Sequence, residues 1–193
     1  MSLISFSLFA LIASITPGPA NIAILSVSAA SPFRVGVLFV VGICIGLSVV
    51  LLASLLPLMG LVTISLNNFL INTIKIGGAC FLLYISYQLY KRNSLSSNKK
   101  IGFLHGLIIH PTSIKAWAFV LSAYTLFIDA ESFNTITGLI YASIFLLISF
   151  FSHSTWLLLG LIIKNKLSEK KIIIVNKILS LSLAATVIYM FIL

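Results

Sequence analysis

Apolar positions in this chain run in long stretches, separated by short clusters of proline, glycine, asparagine and charge. Reading from breaker to breaker gives six of them. They are Ile4 to Val27, ending near Ser31-Pro32; Arg34 to Leu56, ending at Pro57; and Phe69 to Tyr90, closed by Lys91-Arg92. Then come Ile101 to Ile128, closed by Asp129; Phe133 to Ile163, closed by Lys164; and Ile172 to Leu193. Each approaches or exceeds the roughly 20 apolar residues that a helix needs to cross hydrocarbon. None alternates with a period of two, which excludes an outer-membrane barrel. The pattern predicts an all-α integral membrane protein of six transmembrane helices, with residues 1–193 as a single domain.

The charges between the stretches predict an orientation. The third loop holds Lys91, Arg92, Lys99 and Lys100, and the fifth holds Lys164, Lys166, Lys170 and Lys171. Arg34 lies in the first loop. The second loop, Met59 to Asn68, has no charge, and the fourth has only Asp129 and Glu131. Cytoplasmic loops collect Lys and Arg, so the odd loops face the cytoplasm and both termini face outward. The halves, about 1–92 and 101–193 around the basic loop 91–100, then run in opposite senses, as in an inverted repeat of two three-helix units.

Two stretches carry breakers inside them. The first contains Thr16-Pro17-Gly18-Pro19, followed by Asn21; the fourth contains His110-Pro111-Thr112-Ser113, followed by Lys115. Proline removes a backbone donor and clashes with the preceding turn. Backbone freed at membrane depth must face protein or a water-filled cavity. Counted from Leu3 and from Ile101, both breaks fall past mid-span. Either alone reads as a packing kink. As a pair at corresponding places they point to a transport site near the midplane, and Lys115 strengthens this, since an intramembrane cation is costly and functional by default. Asn21 is placed to satisfy part of the first gap.

No Asp or Glu lies inside a stretch; Asp129, Glu131 and Glu169 sit in loops or at their edges. Lys115 therefore lacks an obvious carboxylate partner, and a substrate carboxylate could supply one. A neutral lysine and a lysine snorkelling to an interface are the alternatives. The amino end of a half-helix at the first break would also favour an anion. Among the histidines, His105 reads as interfacial. His110, beside the break, and His153, in the fifth stretch, are the candidates to carry a proton. Lys75 reads as a snorkelling interfacial residue, and Gly42 and Gly46 as a helix-packing pair.

Composition fixes the class. Sixty per cent of residues are apolar and 8% charged, against about 45–50% and about 25% in soluble domains. A soluble globule and a disordered chain are both excluded. The net charge of +9 reads as topology and lipid-headgroup contact rather than nucleic-acid binding. The amino-terminal stretch lacks the basic start of a secretory signal, the first basic residue being Arg34, and reads as retained. Cys44 and Cys80 have no CxxC partner, which argues against a metal cluster or disulfide framework.

Several of these residues together resemble the LysE/RhtB family of bacterial inner-membrane amino-acid exporters, in particular its branch exporting cysteine and O-acetylserine. The T-P-G-P-A-N run at Thr16 to Asn21 is the family's most diagnostic element. Gly36, Gly42 and Gly46 fit its second helix; Gly78-Ala79-Cys80-Phe81-Leu82 with Tyr84 fits its third; Gly102-Phe103 opens its fourth. Trp156 with Gly160, and Asn176, also fit. One departure stands out. The family's Asn-Pro-Lys falls on Ser113, Ile114 and Lys115, so only the lysine is kept, and a proline appears three residues earlier at Pro111. The resemblance implies export of small amino acids driven by the proton gradient, through a bundle that can dimerise. It implies no cofactor and no metal. It places substrate on Thr16, Pro17, Gly18, Pro19, Asn21, Ser113 and Lys115, with His110 and His153 as proton-coupling candidates.

Three other functions compete. A metal or inorganic-ion exporter would want acidic or Cys/His ligands at the midplane, where the chain offers His110 and His153. An intramembrane redox carrier would need Cys44 and Cys80 facing each other. An enzyme has least support, with no HExxH, no paired aspartates and no nucleotide-binding loop.

Overall fold

This computed structural model describes residues 3–56, 68–91, 101–128 and 134–192. Among them are eight helices: α1 (Leu3–Ile15), α2 (Pro19–Ala30), α3 (Phe33–Leu55), α4 (Asn68–Tyr90), α5 (Phe103–Ile109), α6 (Ile114–Phe127), α7 (Thr135–Lys166) and α8 (Glu169–Ile192). The six apolar stretches become eight helices because the first and fourth are each split where the breakers stand.

The splits follow from local chemistry. Pro17 and Pro19 cannot donate to the preceding turn. Pro19 instead opens α2, where a missing N–H costs nothing. Gly18 precedes it in extended backbone, and α1 and α2 meet at a bend of 54°. In the fourth stretch α5 stops before Pro111, and α6 restarts behind Ser113, whose Oγ accepts from the backbone N–H of Ala116 at 3.4 Å. By length and apolar composition α3, α7 and the bent α1–α2 pair can each cross a membrane, and α6 is a shorter apolar helix. At 23 residues, α3 is about 35 Å long, enough for a hydrocarbon core of about 30 Å. Its exposed side is apolar (Leu38, Val41, Ile45, Val49, Leu52), as is that of α7 (Leu139, Leu147, Phe151, Leu158, Ile162).

One boundary differs from the pattern. Lys164 and Lys166 lie in the last turn of α7, and Lys170 and Lys171 in the first turn of α8. The four bases expected in a fifth loop are therefore helical. Lys164 and Lys166 at the carboxyl end of α7 and Glu169 at the amino end of α8 complement the helix dipoles, whereas Lys170 and Lys171 at that amino end oppose the second. Lys164 has a second task. Its Nζ donates to the carbonyl of Ser31 at 2.6 Å, at the end of α2 where Pro32 has no N–H to offer. The expected second loop, the remaining bases of the third loop, Asp129, Glu131 and the Lys75 side chain lie outside the described residues.

Close crossings hold the helices in place. A Cβ on Gly42 would meet the carbonyl of Phe103, one on Gly46 the carbonyl of Leu107, and one on Gly106 the carbonyl of Phe39. The Gly42/Gly46 pair thus serves helix packing, with α3 and α5 in backbone contact. Gly160 does the same between α7 and α2, where a Cβ would lie 2.7 Å from the carbonyl of Leu25. Two of the long unbroken helices lean on the broken helix of the other half: α3 on α5 and α6, α7 on α1 and α2. α4 and α8 pair beside them. Every residue of α2 is buried. Two apolar clusters result. One gathers α2, α3, α4, α5 and α8 around Ile24, Phe39, Ile43 and Ile85. The other gathers α1, α3, α6 and α7 around Phe6, Leu51, Tyr124 and Phe145.

Gly106→Ala sets a methyl against backbone rather than against a side chain that can swing away. It is expected to lower folding stability by about 1–3 kcal/mol, the usual cost of overpacking. Gly102→Ser enters open space and is expected to leave stability unchanged. Thermal unfolding of the two variants in detergent compares them directly.

Candidate functional site

The two breaks come together. Residues 13–21, at the end of α1 and the start of α2, face residues 110–120, at the end of the second break and in α6. Between them lies a cavity of about 40 Å3, against the roughly 10–15 Å3 needed for a single water. Ser14, Gly18, Pro19, Asn21, His110, Ser113, Lys115 and His153 all line it. Thr16 joins through its bonds to Lys115, and Pro17 stands in the break between them.

The break in the first stretch leaves carbonyls at the end of α1 without intrahelical donors. Asn21 answers two of them: its Nδ2 donates to the carbonyls of Ser14 at 2.7 Å and Thr16 at 2.9 Å. Lys115 reaches across from α6 to the same place, with Nζ donating to the Thr16 carbonyl at 3.0 Å and to Thr16 Oγ1 at 2.8 Å. The lysine stem lies on Gly18, where a Cβ would come within 3.0 Å of its Cδ and Nζ. Nζ also sits 5.5 Å from the centre of the Phe119 ring. Its partners are thus neutral oxygens, not a carboxylate.

The second break is closed by side chains too. Thr112 Oγ1 donates to the carbonyl of Ile108 at 2.8 Å, and Trp117 Nε1 to that of Pro111 at 2.9 Å. The helices that restart, α2 and α6, both begin at the cavity. Their first N–H groups have no partner within the helix, and each amino end carries about half a positive charge. With Lys115 between them, one wall of the cavity is positive.

The opposite wall is built by α7. His153 and Ser149, one turn apart, point inward, and Ser149 Oγ lies 2.7 Å from Ser14 Oγ. The His110 and His153 rings lie against each other, tilted by 39° with centres 5.4 Å apart. Cys44 Sγ lies 3.9 Å from His153 Nδ1. Both ring nitrogens of His110 and the Oδ1 of Asn21 are buried without a protein partner. Cys44 and Cys80 are free thiols.

All nine residues singled out in the sequence, Thr16, Pro17, Gly18, Pro19, Asn21, His110, Ser113, Lys115 and His153, therefore stand in or beside one cavity. His105 does not line it. Ser14, Ser149, Phe119 and Phe145 line it and were not foreseen. Two of them carried a signal: Phe119 is one helical turn beyond Lys115, and Ser149 one turn before His153, so each shares a face with a nominated residue. Ser14 and Phe145 carried none.

Paired breaks, a half-buried cation and a polar cavity lie together inside a helical bundle whose outer faces are apolar. The chain belongs to the LysE type translocator family, a family of membrane proteins, whose model matches residues 11–192. It is also similar to the cysteine/O-acetylserine efflux proteins of Salmonella typhimurium (strain LT2) and Salmonella choleraesuis (strain SC-B67). Each is 26% identical over 165 residues, covering 83% of this chain and 83% of the relative. No solved structure matches the chain.

Asn21→Leu strips two buried carbonyls of their shared donor. At about 1–3 kcal/mol for an unmet buried polar group, the variant should unfold at lower temperature in detergent.

Proposed function

We propose that this protein is a secondary transporter of the bacterial inner membrane that exports a small amino acid or a derivative of one, coupled to protons. The observation that carries the reading is the position of Lys115. It is a half-buried cation that donates to a carbonyl and a hydroxyl, in a cavity lined, among the described residues, by no acidic side chain, beside two helix amino ends. Such a wall suits a carboxylate. The group would accept from Lys115 Nζ and from the opening N–H groups of α2 and α6, exchanging the weak Thr16 contacts for an ion pair. The cavity's size suits a short side chain. The efflux proteins to which the chain is similar are named for cysteine and O-acetylserine, both small amino acids.

On this reading the six apolar stretches are six spans in two inverted halves, with the site at their midplane. Both termini face out, and Arg34 and Lys91 with the bases at the α7–α8 junction face the cytoplasm. The equivalent roles of α3 and α7, each leaning on the other half's broken helix, favour that symmetry. No membrane carboxylate serves as proton carrier, so the role falls to the neighbouring His110 and His153. A metal or inorganic-ion substrate has less support. Among the described residues no three His, Cys, Asp or Glu side chains gather to hold a metal, and a cation would have to settle beside Lys115.

Lys115→Met keeps the stem that covers Gly18 and removes the charge. It is expected to abolish uptake of labelled L-cysteine and O-acetyl-L-serine into inside-out vesicles under an imposed proton gradient, while the protein remains folded and inserted. Uptake at the parent rate would refute the role of the cation, and parent vesicles that move neither compound would refute the reading itself.

A further inference from the structure

The carboxylate wall accounts for one end of an amino acid. The other end is an ammonium, which cannot lie against Lys115 and finds no acid in the cavity lining. It needs neutral acceptors, and two residues of the cavity lining offer them. Asn21 is 3% exposed, and its amide nitrogen donates to the carbonyls of Ser14 and Thr16. Carbonyls only accept, so the orientation of this amide is fixed by its neighbours, and Oδ1 is left as a buried acceptor without a partner among the described residues. His110 adds a ring whose two nitrogens are buried and unpartnered. In a neutral imidazole one of these is an acceptor. Leaving such groups unmet is costly in a buried site, and the two acceptors among them, Asn21 Oδ1 and one ring nitrogen of His110, share a common solution: a ligand with several N–H donors.

We infer that Asn21 Oδ1 and His110, backed by the neighbouring ring of His153, form the subsite for the substrate's amine. This rests on the exporter reading and extends it. Lys115 and the two helix amino ends take the carboxylate, and the Asn21–His110 pair takes the ammonium. The substrate then lies across the break, with both its charged groups on backbone or side chains that the broken helices expose. His153 acts as a positioning residue. Its ring supports that of His110 at 5.4 Å, and its Nδ1 faces the Cys44 thiol.

The subsite is tested with two ligands that differ only in the amine, L-cysteine and 3-mercaptopropionate, bound at equilibrium to the purified full chain in lipid nanodiscs. His110→Phe keeps a ring and removes its acceptors. It is expected to weaken L-cysteine about tenfold and to leave 3-mercaptopropionate within twofold of the parent, which also shows that the variant is folded. His110→Asn restores an acceptor and should recover most of the L-cysteine affinity. Equal weakening of both ligands by His110→Phe, or no weakening of either, overturns the amine subsite and leaves the exporter reading standing. A parent protein that binds neither ligand overturns both.

Discussion

The Thr16 carbonyl oxygen accepts from Asn21 and from Lys115, and much of the site depends on that shared acceptor. A helix broken in apolar surroundings strands carbonyls that water cannot reach, at several kcal/mol each. Most broken spans would be eliminated by that cost. Here the stranded groups are met by side chains from both sides of the cavity. Asn21 belongs to the helix that restarts, and Lys115 to the other half of the molecule. The same two contacts that make the break tolerable tie α1, α2 and α6 to one point. If Lys115 leaves Thr16 for a substrate carboxylate, as proposed above, the Asn21 amide still holds the carbonyl.

That arrangement needs the helices close together, and glycine makes it so. Gly42, Gly46 and Gly106 bring α3 and α5 into backbone contact, and Gly160 does so for α7 and α2. Without a hydrophobic drive between helices in lipid, such contacts and a few buried hydrogen bonds carry the association. Ser26 Oγ donates to Asn176 Oδ1 at 2.7 Å between α2 and α8, and Ser86 Oγ to the carbonyl of Ser180 at 2.7 Å between α4 and α8. The apolar clusters sit on either side of the cavity, so the packed regions flank the polar one instead of filling it.

Much of this was legible in the sequence, for a physical reason. Proline and glycine inside an apolar run act locally, so the breaks at Thr16 to Pro19 and at His110 to Ser113 could be placed without knowing the fold. Lys115 was legible because a cation is expensive where no acid accompanies it. The partners of these residues were not legible. That Lys115 would rest on Thr16, or that the His110 ring would lie against that of His153, depends on how α6 and α7 lie against α1, and no local pattern encodes it. Ser14 and Ser149 are ordinary helix residues until the fold sets them 2.7 Å apart. The helix limits at Lys164 to Lys171 were misjudged because a cluster of bases reads as a loop, whereas lysines with long stems also suit a helix carboxyl end.

The change at Ser113-Ile114 relative to the family's Asn-Pro-Lys can be understood in the same terms. A proline directly before the lysine would open α6 at its first position, as Pro19 opens α2. This chain instead places Pro111 three residues earlier and opens α6 with Ser113, whose hydroxyl meets the Ala116 N–H. Beside the unwound segment the Trp117 indole takes the Pro111 carbonyl and the Thr112 hydroxyl the Ile109 carbonyl. His110 stands in the cavity wall at the point where α5 ends. A histidine there adds an acceptor to a site otherwise rich in donors.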